Sequence, residues 1–168
     1  IGFSHIHSWT MGGLLTMPVT GPLKIKPGEE NEPDSGYRSR INHKNEKASL
    51  SYYSVLLDDY NIKAELTSTT RTGFQRYTFP KSDSSRILFD LENGSEYPYE
   101  VRWASISKVS DYEIEGFSTQ SSYDEPTNLL NDYTVYFVAR VDKPMKSFGT
   151  WVNGYVDTTC LLYTADAA

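Results

Sequence analysis

Ile62-Lys63-Ala64-Glu65-Leu66-Thr67 alternates apolar and polar side chains one for one. A period of two puts Ile62, Ala64 and Leu66 on one face of a pleated strand and Lys63, Glu65 and Thr67 on the other, as in a strand covered on one side only. Outward from this stretch, short runs rich in Tyr, Val, Ile, Thr and Phe recur at 52–57, 74–79, 86–91, 99–109, 112–118, 133–141, 146–152 and 155–163. Turn dipeptides separate them: Thr72-Gly73, Asn93-Gly94, Lys143-Pro144 and Asn153-Gly154. No interval leaves room for a long amphipathic helix. The chain is therefore expected to be all-β, with about ten to twelve short strands. A sheet with one apolar face must cover that face with another layer, so the expected architecture is a two-sheet antiparallel β-sandwich, with a closed barrel as the alternative.

Two segments depart from this pattern. Residues 27–45 carry Gly28, Glu29, Glu30, Glu32, Pro33, Asp34 and Gly36 with almost nothing apolar, and residues 119–132 are similarly polar around Glu125-Pro126. Both read as long surface loops, where binding residues often sit. No internal repeat or low-complexity tract is evident.

The chain has 168 residues, which is long enough for one domain with a core, since a fold of this size buries roughly 70% of the surface its unfolded chain exposes. An aromatic content of 14%, led by thirteen Tyr, exceeds what a disordered segment would carry. The formal charge of −6, with sixteen Lys and Arg scattered among twenty-two acids, argues against nucleic acid as partner. Cys160 stands alone, which excludes an internal disulfide and a Cys-rich metal site and leaves it as a small core residue. No run approaches the ~18 apolar residues of a membrane span. The start at Ile1, inside an apolar segment, suggests a first strand cut from a longer chain.

The opening Gly2-Phe3-Ser4-His5-Ile6-His7 holds two of the three histidines, two apart, so on a strand they point the same way. Such a pair can hydrogen-bond sugar hydroxyls, serve as structural groups at a strand end, or grip a metal with His43 as the remaining histidine. Trp9 can stack on a sugar ring or plug the edge of a core. Met11-Gly12-Gly13 is expected to form an exposed loop after that strand. Among the carboxylate pairs, Asp58-Asp59-Tyr60-Asn61 reads as a turn, and Glu113 with Glu115 as the wet face of a strand. Asn93-Gly94-Ser95 reads as a hairpin turn rather than a glycan acceptor. No serine nucleophile elbow, phosphate loop or Cys-His arrangement is present.

Taken together, several stretches resemble the amino-terminal domain of glycoside hydrolase family 92. These are Gly2-Phe3-Ser4-His5-x-His7, Leu15-Thr16-Met17-Pro18 with Thr20-Gly21, Asn45-Glu46-x-Ala48, Tyr52-Tyr53-Ser54-Val55-Leu56-Leu57-Asp58, and the continuous run from Ile62 to Pro80. The Ile87-Leu88-Phe89-Asp90-Leu91 run fits as well, and beyond Tyr99 the text is only compatible with the family. Two departures stand out: Gln75 where the family usually has His, and Leu50-Ser51 where it usually has Pro-Gly before the paired tyrosines. The second should alter a turn, and the segment between His7 and Leu14 is shorter than usual.

The resemblance implies that residues 1–168 are one sandwich domain, supersandwich-like, at the front of a longer bacterial enzyme that is secreted or periplasmic. That enzyme would remove terminal α-linked mannose with inversion, using a calcium ion and two carboxylates in a following (α/α) barrel domain. Calcium would be bound mainly by that missing domain, with no cofactor and no catalytic residue expected in this chain. Isolated activity should be nil, because an inverting glycosidase needs one carboxyl group to protonate the leaving oxygen and one to activate water. The expected partners are α-mannoside glycans and the carboxy-terminal catalytic domain of the same chain. Phe3, Ser4, His5 and His7, with Trp9 after them, are the pocket-facing residues the resemblance carries over. From a different class, the same sandwich could serve as a free-standing carbohydrate-binding module or adhesin.

Overall fold

The structure is a computed structural model that describes residues 2–8, 11–29, 31–92, 99–124, 129–158 and 162–166. Its strands are β1 (Phe3–Ser8), β2 (Met11–Val19), β3 (Lys47–Ser49), β4 (Tyr52–Leu57), β5 (Ile62–Ser68), β6 (Gly73–Thr78), β7 (Arg86–Asp90), β8 (Tyr99–Ser110), β9 (Glu113–Asp124), β10 (Leu129–Arg140), β11 (Thr150–Val152), β12 (Tyr155–Asp157) and β13 (Leu162–Asp166). Among the described residues the helical elements are two single 3-10 turns, Pro33–Ser35 and His43–Asn45. The all-β class is thus as expected, with 56% strand, several antiparallel sheets of the kind a sandwich uses, and no barrel. The strand orders are β1-β2-β7, β3-β4-β5-β6, β10-β9-β8-β13 and β11-β12. No helix among the described residues is long and apolar enough to cross a membrane.

The chain groups into two compact units, one of Ile1–Phe3 with Thr16–Phe89 and the other of Ser4–Leu15 with Asp90–Ala168. In the first, β4, β5 and β6 form an antiparallel meander in which Val55 faces Ala64, and Ala64 faces Tyr77. The alternation of Ile62-Lys63-Ala64 appears as buried, exposed, buried. Val55, Leu57, Ile62 and Ala64 are almost wholly removed from water, as are Met17, Val19 and Tyr37. Each fully buried Val, Leu or Ile stabilises the fold by about 1.5–3 kcal/mol before chain entropy is counted.

Glu65 departs from simple alternation, because it is buried although it lies on the polar face of β5. Its partners explain this: Arg76 donates through Nε and Nη2, both at 2.9 Å, and the Tyr52 hydroxyl donates at 2.7 Å. The β4–β5 connection at Asp58–Asn61 is the expected turn, with Asn61 at φ 51°. Between β3 and β4, Ser49 pairs with Tyr52, so Leu50-Ser51 is a two-residue loop. Only its second residue, Ser51, has a positive φ, at 61°, which is the pattern of a type II turn.

In the second unit, β8, β9 and β10 are each twelve residues long and pair antiparallel. Ala104, Ile106, Ile114, Ser118 and Gln120 are buried. Alternation gives the opposite face Trp103, Phe117, Tyr136 and Val138, of which Trp103, Tyr136 and Val138 are exposed, with the Phe117 and Tyr136 ring centroids 5.7 Å apart. Gly116 admits the strand crossing here: a Cβ would lie 2.2 Å from the Ser105 carbonyl oxygen and 2.7 Å from the Phe137 ring.

Several expectations are corrected. Residues 119–124 and 129–132, expected to lie in a surface loop, are strand: β9 runs through Asp124, β10 begins at Leu129, and Leu129 pairs with Asp124. Two polar pairs bond across the ladder, with Thr119 and Thr134 hydroxyls 2.9 Å apart and the Tyr133 hydroxyl donating to Gln120 at 3.1 Å. Met11-Gly12-Gly13 is likewise not a loop but the start of β2, with Gly13 buried against Gln120. The run at 146–152 shortens to β11, and the run at 155–163 divides into β12 and β13. Asn93-Gly94-Ser95 and Cys160 lie outside the described residues.

Candidate functional site

The Phe3-Ser4-His5-Ile6-His7 stretch is the body of β1, as a strand reading requires. In the first unit Phe3 is buried at its amino end, its ring stacked on that of Tyr77 with centroids 6.1 Å apart. Thr16, itself buried, lies 3.2 Å from the Phe3 carbonyl oxygen and 3.0 Å from Gln75 Oε1 through the same hydroxyl. The Tyr77 hydroxyl also donates to Gln75 Oε1 and lies 3.3 Å from Thr16 Oγ1. Burial pushes the Tyr77 phenol up to about 12, partly offset by its bond with Thr16. The phenol therefore stays protonated and available to donate across the ordinary pH range.

This cluster fixes the backbone and ring of Phe3 at once, and so sets where β1 begins. Sequence reasoning marked Gln75 only as a departure and missed Thr16 and Tyr77, because the bonds span 59 and 61 residues. In the second unit the Ser4 hydroxyl donates to the Gly13 carbonyl at 3.0 Å, tying β1 to β2. His5 and His7 fall within β1, but their side chains lie outside the description, and Trp9 lies outside the described residues altogether.

His43 lies in the first unit with Nδ1 2.6 Å from Glu46 Oε2, while the Tyr53 hydroxyl donates to Glu46 Oε1, also at 2.6 Å. These bonds, Tyr53 first and His43 second, hold the Glu46 carboxyl below its ordinary range. Burial first, and then the neighbouring Glu46, pushes Tyr53 up to about 12. The trio anchors the His43–Asn45 turn to β4. Among the described residues no group of three or more His, Cys, Asp and Glu could hold a metal ion.

The carboxylate pairs are occupied structurally. Asp59 accepts from the backbone N–H and the guanidinium of Arg40, which outweighs the opposing effect of burial and lowers its pKa. Arg40 is raised in turn. Glu113 accepts from Arg140 at 2.5 Å across β9 and β10, and Glu115 is exposed.

Against this geometry, the family model for the glycosyl hydrolase family 92 N-terminal domain matches residues 1–165. Two solved structures of a family GH92 α-mannosidase from Bacteroides thetaiotaomicron are similar in fold and 30% identical. The one in complex with mannoimidazole has a TM-score of 0.74, covering 92% of this chain and 21% of that one. The other has a TM-score of 0.75, covering 92% and 22%. This chain thus spans about a fifth of the length of the enzyme it matches. Among curated proteins, none matches.

Proposed function

Because the chain belongs to the glycosyl hydrolase family 92 N-terminal domain family, we propose that it is the non-catalytic front part of a longer, inverting α-mannosidase and forms one wall of the mannose pocket. The observation that carries this reading is the family match over residues 1–165, together with a likeness that accounts for only 21% of the mannosidase bound to mannoimidazole. On this reading the acid and the base belong to the remainder of the longer chain, which packs on this one and also holds the calcium. Secretion or a periplasmic location goes with the same assignment.

The work of this chain is positioning. Thr16, Gln75 and Tyr77 hold Phe3, and Ser4 ties β1 to β2. On this reading His5 and His7 of β1 are the donors to sugar hydroxyls, and a strand held in place before substrate arrives removes an ordering cost from binding.

The test compares mannose release from an α-mannoside by the full-length protein, by the 168-residue chain alone, and by full-length His5→Ala and His7→Ala variants. The full-length protein should be active, the chain alone inactive, and each variant reduced in kcat/KM by about tenfold or more, as expected when a hydrogen bond to a sugar hydroxyl is lost. Enzyme-like hydrolysis by the chain alone would overturn the assignment. Unchanged kcat/KM in both variants would remove β1 from the pocket.

A second reading, a free-standing sugar-binding module, is favoured by the exposed rings of Trp103 and Tyr136 on one face of the β8–β10 sheet. Titration of the isolated chain with mannobiose separates the two. Saturable binding abolished by Trp103→Ala favours the module.

A further inference from the structure

The polar loop at residues 27–45 walls a cleft of about 410 Å³ within the first unit, within the size range of small-molecule sites. Its charged lining is Lys24, Arg38, Arg40, Asp34 and Asp59, with Tyr60 beside them. On a chain with a formal charge of −6, this cleft carries three cationic groups against two anionic ones.

The anions are not equally available. Asp59 is neutralised by Arg40, whose Nε donates to it at 2.7 Å and whose backbone N–H donates at 2.6 Å. Asp34 is exposed and is touched by Arg40 Nη2 at 3.2 Å. Lys24 is held in place by the Asp34 carbonyl oxygen at 2.7 Å, a neutral acceptor that leaves its charge uncompensated. Arg38 is half-buried as a residue, and its guanidinium has no acceptor among the described residues, while its backbone N–H is fixed to the Pro27 carbonyl at 3.2 Å. Its N–H donors, paired with no described residue, are open to a ligand or to water.

The loop is also built to hold this arrangement without a ligand. Gly28 has φ 84°, and a Cβ on Gly36 would lie 2.1 Å from the Gly28 nitrogen, so the two backbone segments cross in direct contact. The Ser35 hydroxyl accepts from Glu29 N–H at 2.8 Å and donates to the Glu32 carbonyl at 2.6 Å, and Tyr37 N–H donates to the Lys26 carbonyl at 2.9 Å. Because the sequence between Lys24 and Arg40 is pinned at so many points, the cations stay close without having to be ordered on binding.

From this geometry we infer that the cleft is a binding site for an oxyanion carried on a saccharide-sized ligand, a phosphate or a carboxylate, with Arg38 as its chief contact and Lys24 as support. The planar guanidinium offers two parallel donors to either group, and Tyr60 lends a ring edge to the body of the ligand. No β1 residue lines this cleft, and the site does not depend on the mannosidase assignment.

The test is calorimetric titration of the full-length protein with inorganic phosphate, glucuronate and glucose. Phosphate and glucuronate should bind saturably, more weakly as salt is raised, and glucose should not bind in this cleft. Arg38→Gln should weaken both anions about tenfold, the loss expected for a charge-assisted hydrogen bond, without changing the melting transition, since the guanidinium bonds to no described residue. Lys143→Gln, which removes an exposed cation elsewhere, should change nothing. Tighter binding of phosphate than of glucuronate would assign a phosphorylated ligand, and the reverse a sugar acid. No saturable anion binding, equal anion affinity in wild type and Arg38→Gln, or equal losses in Arg38→Gln and Lys143→Gln would each overturn the site.

Discussion

The ring of Phe3 lies on that of Tyr77 at an interplanar angle of 29°, and the Tyr77 hydroxyl bonds Gln75, which also receives Thr16. One aromatic contact and one polar node thus act on the same residue, and they act in series: loss of the node frees the ring on which Phe3 rests.

Tyr77→Phe keeps the stacking surface and removes the donor to Gln75. It should cost about 1 kcal/mol in urea denaturation, the usual net value of a hydrogen bond. Phe3→Ala should cost about 3 kcal/mol, because it empties a buried aromatic site. A neutral Tyr77→Phe would show that the polar node contributes nothing to stability.

Glu65 sets an acid limb. Arg76 first, then Tyr52 and Lys63, hold its carboxyl down to about 2, against an ordinary value of 4.5. The folded chain therefore keeps Glu65 ionised where the unfolded chain has already taken up a proton. The resulting stabilisation is full above pH 4.5 and is lost as pH falls toward about 2. Glu65→Gln should lower the denaturation midpoint at pH 7 and leave it nearly unchanged at pH 2, flattening the acid limb. Parallel pH profiles for the two proteins would rule this out.

The Leu50-Ser51 turn is improvable. Leu50 is 97% exposed, and Ser51 occupies a positive φ that glycine adopts without penalty. Ser51→Gly combined with Leu50→Pro restores the residues a type II turn favours, and should raise stability by about 0.5–1 kcal/mol, read as an increase in Tm.

Gly36→Ala should be costly for its size. A methyl group there meets Gly28 N at 2.1 Å and the Pro27 carbonyl carbon at 2.2 Å, both backbone atoms that cannot swing aside. Loss of about 2 kcal/mol or more, with faster proteolysis of the segment between Lys26 and Arg40, is the expected outcome. Gly21→Ala, at a position with no atom within 4 Å, isolates the cost of positive φ alone and should be milder.

How much of this was legible in the sequence depended on the distance over which each feature is made. The period of Ile62 to Thr67 and the turn at Asp58–Asn61 are local, and both appear where the pattern placed them. Residues 119–132 misled because Ser, Thr and Gln look like loop residues unless their cross-strand partners are known. Gln120 is buried, with Tyr133 reaching it from β10. Met11-Gly12-Gly13 misled for the complementary reason: glycine permits a loop but also permits the close approach of Gln120. Of the site, the β1 motif was readable as a strand, whereas the support beneath Phe3 and the joining of Arg40 to Asp59, nineteen residues away, arise only on folding. Trp9 and the imidazoles of His5 and His7 lie outside what the structure describes.

Among the described strands, β10 lies at the rim of its sheet, and alternate residues of its twelve point their amide and carbonyl groups outward. Strands of that length at a rim invite another copy to dock alongside, and Arg140 at one end is a sparse deterrent. Kept at high concentration without its neighbours, such a polypeptide is prone to ribbon-like self-association and clouding on storage. A lysine in place of Val138, which is already open to solvent, is the simplest remedy.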